Sequence, residues 1–523
     1  MTHTHPRGAS ASFERRLEQL LAPFTDDKPG LAALVCIAGK PVFERYLGGA
    51  DLEHGVPVTA TTGFHIASVS KQFTAFAALL EAEAGRLDLA ADVRIYLPEV
   101  PDFGAPIAVA DLIHHTSGLR DVADLLGLSG VGLGGEIRQR VTVELALRQR
   151  ELNFPPGSRH HYSNTGYTLL AEIIARTSGR ALPRYLEAEV FAPLGMRGSL
   201  VCDNRDRLLA NEAQSYRITS RGEVRHLRMN NSCYGPRGVY TTARDLAKWA
   251  RELTSPSVFP PALIARMTAP GRLPDGREVA YGFGLLCGPL VGQAALTHYG
   301  GDQGYAATFQ LFPDADASVI VLSNGQADVA AIAEALTAVH LSAAPPPPVT
   351  PDAAVVADLE GYYVWGGGPG LTLQASDGKL VGSTGGAPVE AKSLPDGRFY
   401  LVAPHIPFTR GADGSLSEFG GVAGSELVHR RRTRVQPSPA ELAAIAGAYR
   451  SDELDSTYDL AAQDGGLSLS ALRFGPLAFA PADADAFDGP GMRLIIDRDD
   501  AGAVTGMRVS TWCSWGLRFR KLA

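Results

Sequence analysis

The sequence predicts a multidomain α+β protein, in which a domain made of an antiparallel sheet flanked by helices is followed by two small antiparallel β-barrel domains. Three observations lead there. The chain has 523 residues, beyond the ~250 to 300 at which a single hydrophobic core stops growing. A proline-rich run, Ala343 to Pro351, cannot continue a helix or join a central strand, so it marks a boundary. The pattern also differs on its two sides. Long helical stretches between strand signals come before it, and short alternating runs broken by turn dipeptides come after it.

Before the boundary, Leu31 to Ala38 and Pro41 to Leu47 read as a strand pair, and a mostly helical middle follows. Strand signals return at Tyr281 to Cys287, Ala306 to Phe312 and Ser318 to Ser323, and Val329 to Leu341 reads as an Ala-rich helix. Strands on both sides of a helical middle imply that the two ends share one sheet. Residues 1–342 are therefore assigned to a catalytic domain and 343–351 to a linker. Beyond it, Asp377-Gly378, Pro395-Asp396-Gly397 and Asp413-Gly414 are hairpin signals. The region also repeats. Leu359-Glu360-Gly361-Tyr362-Tyr363 returns as Ile445-Ala446-Gly447-Ala448-Tyr449, and Leu427 to Arg432 returns as Leu517 to Lys521. Two barrels, 352–436 and 437–523, follow from that repeat.

Hydrophobic residues at 45% and charged residues at 20% are those of an ordinary folded protein. The net charge is -8 with both signs interspersed, so no basic surface is offered to nucleic acid. Arg430, Arg431, Arg432 and Arg434 read as a solvated strand edge. With no apolar leader before Phe13 and no run of ~18 apolar residues, neither export nor a membrane is expected, and the location is expected to be cytoplasmic. Five scattered cysteines (Cys36, Cys202, Cys233, Cys287, Cys513) lack metal-ligand spacing and read as structural thiols of a reducing compartment.

Ser68-Val69-Ser70-Lys71 carries the candidate nucleophile. The apolar, Ala-rich run through Leu80 favours a helix. A helix starting at Ser68 puts Lys71 one turn on and on the same face, about 5 to 6 Å away between Cβ atoms. There Lys71 steadies the alkoxide or, deprotonated, takes its proton, and the free N–H groups of the helix start add positive potential. The motif alone is weak, because Ser376-Asp377-Gly378-Lys379 repeats it on a hairpin turn. Two further motifs single out Ser68. Tyr162-Ser163-Asn164 follows a Pro155-Pro156-Gly157 loop and precedes the helical run Tyr167 to Ala175. Tyr162 is expected to act as general base toward Ser68 and to return the proton to the leaving group, and Asn164 to hold Lys71 and the substrate carbonyl. His298-Tyr299-Gly300-Gly301 begins a strand-forming region whose glycines permit close approach to a ligand. The N–H of Gly301, with that of Ser68, is the expected oxyanion hole. The catalytic residues are thus Ser68, Lys71 and Tyr162, the substrate-binding ones Asn164, His298, Gly300 and Gly301, and no metal is called for.

These motifs resemble the penicillin-recognising serine hydrolases of class C β-lactamase type, whose Ser-x-x-Lys, Tyr/Ser-x-Asn and Lys/His-x-Gly elements build one site. His115-Thr116-Ser117-Gly118-Leu119, Phe154-Pro155-Pro156-Gly157-Ser158, Thr241-Thr242-Ala243-Arg244-Asp245-Leu246 and Tyr281-Gly282-Phe283-Gly284 resemble that superfamily's supporting phrases, over residues 10 to 340. Tyr449-Arg450-Ser451-Asp452-Glu453-Leu454-Asp455 and Thr511-Trp512-Cys513 extend the likeness to the bacterial D-aminopeptidases within it. The resemblance implies a β-lactamase-like catalytic domain in a cofactor-free cytoplasmic enzyme. It would release N-terminal D-residues from short peptides, amides and esters through an acyl-enzyme, as a homodimer. Its partner is a small-molecule or short-peptide substrate, with no nucleic acid and no membrane. Two departures stand out. In such enzymes a loop of the last β domain descends into the active site, whereas Phe487 to Met492 is short here and implies a more open pocket. Gly235-Pro236-Arg237-Gly238 also places a cation where an acid is expected for a substrate ammonium. Other readings of the same constellation are a broad esterase or D-amino-acid amidase, a β-lactamase-like hydrolase, and a β-lactam sensor that acylates and stops. The second loses ground because His298, neutral near pH 7, stands where a carboxylate binder often has Lys.

Overall fold

A computed structural model describes residues 7–130, 136–344, 349, 353–384, 388–394, 396–401, 408–418, 427–471 and 474–523. A six-stranded antiparallel sheet lies at the centre of the first 344 residues. It is built from β1 (Leu31–Ile37), β2 (Lys40–Leu47), β3 (Leu286–Leu290), β4 (Gln293–Asp302), β5 (Tyr305–Phe312) and β6 (Ala317–Ser323), in the order β3-β4-β5-β6-β1-β2. The ladder from Leu31 opposite Ser323 to Ile37 opposite Ala317 joins the early and late strands, as expected. β1 reads Leu-Ala-Ala-Leu-Val-Cys-Ile because both of its faces are covered. Leu31, Ala33 and Val35 pack against α1 (Arg7–Leu21) and the Val329–Leu341 helix, whereas Ala32, Leu34 and Cys36 enter the larger helical core.

That core contains α2 (Lys71–Glu83), α4 (Asn164–Ser178) and α5 (Ala243–Thr254), while the short α3 (Val122–Ser129) sends Leu125 and Leu128 into the core of the last barrel, and the Val329–Leu341 helix, α6, lies behind the sheet. Trp249 of α5 lies against Phe73 and Phe76 of α2, with ring centroids 5.2 and 5.1 Å apart, and its Nε1–H donates to Gln72 Oε1 at 3.0 Å. This clamp fixes the helix that carries Lys71. Truncating it to Ala would cost about 3–5 kcal/mol.

Two local expectations are corrected. The strand read at Tyr281 to Cys287 begins at Leu286. Gly284, at φ +79°, presses its backbone onto α2, and a Cβ there would sit 2.5 Å from Gln72 N, so the segment before it packs as a close loop. His298 to Gly301 likewise end a strand rather than begin one.

Of the proline-rich run, positions other than 343, 344 and 349 lie outside the described residues. Beyond it, one nine-stranded sheet runs from Val389–Glu390 at one edge to Lys392–Ser393 at the other. Those edges are consecutive in the chain, so the sheet curls back on itself. The last eight strands, Gly447–Ser451 through Leu517–Lys521, form a closed antiparallel barrel. The sequence repeat is a structural one. A helix (Ala353–Leu359, Pro439–Ile445) leads into a first strand (Gly361–Val364, Gly447–Ser451), which pairs with the last strand of its unit. In both copies a cation from that last strand covers the first strand's tyrosine, Arg431 over Tyr363 at 5.4 Å and Lys521 over Tyr449 at 5.8 Å.

The Phe487 to Met492 segment is a tight hairpin between Ala486–Gly489 and Met492–Arg498. Its Asp488 accepts from Tyr362 and Arg493, which ties it to the preceding sheet and not to the helical core. A different connection, residues 511–516, reaches back to the first 344 residues. There Trp512 and Trp515 meet Trp365 of the nine-stranded sheet, with ring centroids 6.1 and 5.0 Å away, and Trp515 meets His161 at 4.7 Å.

Candidate active site

Ser68 lies on a 3-10 turn, Ala67–Ser70, and the α-helix proper starts at Lys71. In a 3-10 turn, side chains three apart eclipse. That places Lys71 Nζ 3.1 Å from Ser68 Oγ. Ala67, at φ +46°, holds the strained entry to the turn. Every residue from Thr62 to Leu79 is buried except half-buried Ser68, so its hydroxyl is the one group there within reach of a substrate.

Lys71 is fully buried, and three oxygens surround its amine: Ser68 Oγ at 3.1 Å, Asn164 Oδ1 at 2.7 Å and Pro236 O at 3.0 Å. Burial, helped by the Arg237 charge and opposed by Asp121 and Asp302, drives its pKa well below that of an ordinary lysine. The amine also lies over the Tyr162 ring, 4.7 Å from its centroid. Burial pushes the Tyr162 phenol up, against a hydrogen bond with Ser68 and the Arg237 charge. Burial thus moves the two groups in opposite senses, favouring the neutral form of the lysine and the protonated form of the tyrosine.

Tyr162 and Asn164 flank the start of α4. Asn164 is its first residue, and its backbone N–H donates to Asp121 Oδ2. Asp121 is itself the N-cap of α3, with Oδ1 accepting from the N–H groups of Ala123 and Asp124. The His115 ring packs on Tyr162, with centroids 4.4 Å apart, and its Nδ1 accepts from Ser163 N.

β4 runs past the end of β3, whose ladder stops at Leu286 opposite Thr297. From His298 onward one edge of β4 is therefore open toward the Ser68 turn. Gly300 allows the approach, since a Cβ there would lie 2.3 Å from Ile66 O, while Gly301 has open space beside it. A two-residue turn, Gln303 (φ +39°) and Gly304 (φ +92°), closes the hairpin at Asp302 opposite Tyr305. Alternation along the ladder then turns the Gly301 N–H away from β5, to the open edge. His298 is buried, donates Nδ1–H to Tyr299 O at 2.7 Å and accepts the Tyr281 hydroxyl at Nε2, 3.0 Å away. Burial and the nearby Lys71 push its pKa down to about 3, so it is neutral.

The structure thus brings Ser68, Lys71, Tyr162, Asn164, His298, Gly300 and Gly301 together. Sequence reading missed three partners. Asp302 ends β4 and accepts from Arg237 at 2.9 Å, so the cation noted at Arg237 is neutralised. Asp121 and Tyr281 fix Asn164 and His298. Asp121 follows the His115-to-Leu119 phrase by two residues, and Tyr281 opens another quoted phrase, but neither motif states whom it touches. Among the described residues, the one group with donor atoms spaced for a shared metal is Asp51, Glu53 and His54, an exposed turn that contains none of these residues. Among them, too, no helix is long and apolar enough to cross a membrane.

The family profile described as Beta-lactamase matches residues 13–344, which include all seven predicted site residues. The chain belongs to the beta-lactamase family. Its likeness to single proteins runs further. It is 27% identical to the D-aminopeptidase of Gluconobacter oxydans, over 98% of this chain and all of that protein. It is 28% identical to the D-aminopeptidase of Brucella anthropi, over 94% and 95% of the two chains. In fold it is similar to the octameric penicillin-binding protein homologue from Pyrococcus abyssi, with a TM-score of 0.57 at 20% identity, over 90% of this chain and 99% of that one. For this beta-lactamase family member, the shared fold therefore extends through the barrel region.

Proposed function

We propose that the protein is a serine hydrolase that works through an acyl-enzyme on Ser68 and releases N-terminal D-amino acids from short peptides, amides or esters. The partners of Lys71 carry the reading. Its Nζ lies 3.1 Å from Ser68 Oγ, 2.7 Å from Asn164 Oδ1 and 3.0 Å from Pro236 O. Once neutral, the amine gives its two hydrogens to the two carbonyl oxygens and turns its lone pair to the Ser68 hydroxyl. Burial that favours the neutral amine thus prepares a base at the nucleophile.

Ser68 Oγ attacks the acyl carbon and its proton passes to Lys71 Nζ. Tyr162, protonated at rest, hands its phenol proton to the leaving amine and is refilled from Lys71. The oxyanion lies between the N–H groups of Ser68 and Gly301. Water then opens the ester, with Lys71 again as base. His298, a neutral residue of β4 bonded to Tyr281, offers no charge to a substrate carboxylate. The preference for D-residues rests on the near full-length relatives named D-aminopeptidase. The substrate is a small molecule or short peptide; a cofactor-free homodimer in the cytoplasm completes the proposal, its assembly open to light scattering. The test is turnover of D-alanyl p-nitroanilide against its L-isomer and a simple ester. Fast D-specific amide hydrolysis is expected. Equal rates on both isomers, or hydrolysis of esters alone, would overturn the D-aminopeptidase reading.

A further inference from the structure

The segment His161 to Asn164 is held at one end by a loop some 350 residues further along the chain and at the other by Asp121, which the same loop contacts. At one end, His161 Nε2 meets Trp512 O at 2.9 Å. Burial pushes the pKa of His161 down to about 4, so this is a neutral ring donating N–H to a carbonyl. At the other end, the Asp121 carboxylate takes the Asn164 N–H, and Asp121 is in turn fixed by the loop. The Asp121 N–H donates to Ser514 Oγ at 3.1 Å and to Cys513 O at 3.2 Å. The neighbouring Asp124 accepts the Thr511 hydroxyl and the Cys513 N–H, the latter at 3.1 Å. Asn153 braces the loop from outside, donating to Cys513 O at 3.0 Å and accepting from Trp515 N at 2.8 Å. Arg120 locks its base, donating to Trp515 O at 3.0 Å and to both oxygens of Glu453 at 2.9 Å.

These bonds form a continuous chain. It runs from the loop to Asp121, from Asp121 to Asn164, and from Asn164 Oδ1 to the amine of Lys71. A second arm runs through His161 to Tyr162, its neighbour in sequence. We infer that residues 511–516 of the last barrel position Asn164 and Tyr162, and through them Lys71, so that the barrel completes the catalytic geometry. Asp121, His161, Thr511 and Ser514 are positioning residues. They act on the groups at the nucleophile. The inference rests on the serine-hydrolase reading of Ser68, but not on the choice of D-residues.

The arrangement has a directional electrostatic consequence. The Asp121 carboxylate is one of the charges that raise the Lys71 pKa against burial. Removing that charge should let the Lys71 pKa fall further. The acidic limb of kcat/KM, where Lys71 must lose its proton, would then move to lower pH in Asp121→Asn. A structural defect alone would lower the plateau and leave the limb in place.

The test uses the full chain and p-nitrophenyl acetate, whose acylation of Ser68 is followed by mass and by the released phenol. The expected result for Thr511→Val with Ser514→Ala is a roughly 10- to 100-fold slower acylation, the scale of loss when a reacting group is misplaced by about 1 Å. Unchanged KM on amide substrates should accompany it, with a melting temperature lowered by no more than a few degrees. Ser514→Thr, which keeps the hydroxyl, should restore the rate, and Asp121→Asn should shift the limb as stated. Acylation at the wild-type rate in the double variant would overturn the inference, as would a raised KM with unchanged kcat, which would make the loop a substrate wall. A wild-type chain that p-nitrophenyl acetate does not acylate would instead overturn the hydrolase reading itself.

Discussion

Ser68 to Lys71 and Ser376 to Lys379 share the pattern Ser-x-x-Lys and little else. The first is a strained 3-10 turn entering a buried helix, with the lysine amine enclosed by three oxygens. The second closes a hairpin, with Ser376 and Lys379 facing each other across a turn in which Asp377 has φ +52° and Gly378 φ +73°. Lys379 is 59% exposed and pairs with Glu390 at 2.8 Å, which raises its pKa. Spacing therefore sets up neither base. Burial pushes one lysine toward its neutral form, and a carboxylate partner in solvent holds the other in its charged form.

The largest effect should come at Ser68. Ser68→Ala is expected to lower kcat/KM by on the order of 10⁴-fold or more and to abolish the acyl adduct seen by mass spectrometry. Surviving activity would place the nucleophile elsewhere. Lys71→Arg should come close to that loss, by about 10³-fold, because a guanidinium does not deprotonate. In the unmodified chain, the activity limb governed by Lys71 should lie well below pH 10.5, with activity rising as the amine loses its proton and level above that. A limb near the ordinary lysine value would mean that burial does not act as described. Asn164→Ala should cost about 10²- to 10³-fold in kcat, as for loss of one preorganised polar contact, while the melting temperature stays within a few degrees. The smallest effect belongs to the hairpin copy. Ser376→Ala should leave kcat/KM within about twofold and stability within ~0.5 kcal/mol.

Much of this was legible in the sequence, and the limits are physical. Ser68, Lys71, Tyr162 and Asn164 announce themselves because local motifs fix their immediate geometry. The duplicated barrels are visible because Gly361 and Gly447, with the tyrosines that follow, recur in the same local setting. The upward push of burial on the Tyr162 phenol is not legible in the motif, since burial is a property of the packed whole. The pairings of Asp121 with Asn164 and of Arg237 with Asp302 join residues 43 and 65 positions apart. No periodicity encodes such contacts. That residues 511–516, and not the short Phe487–Met492 hairpin, contact the helical region is hidden for the same reason. Asp488 has a nearer partner in Tyr362, and that contact turns its hairpin away.

The tryptophans offer a built-in optical reporter. Of the four in the chain, Trp249 is sealed in the helical core, Trp365 joins the two barrel units through Trp512 and Trp515, and Trp515 also packs on the helical region at His161. Parting of the barrels from the helical region would wet Trp515, which packs on Phe154 and His161, and redden the spectrum before the Trp249 core melts, so docking and global unfolding can be followed separately in the unlabelled protein.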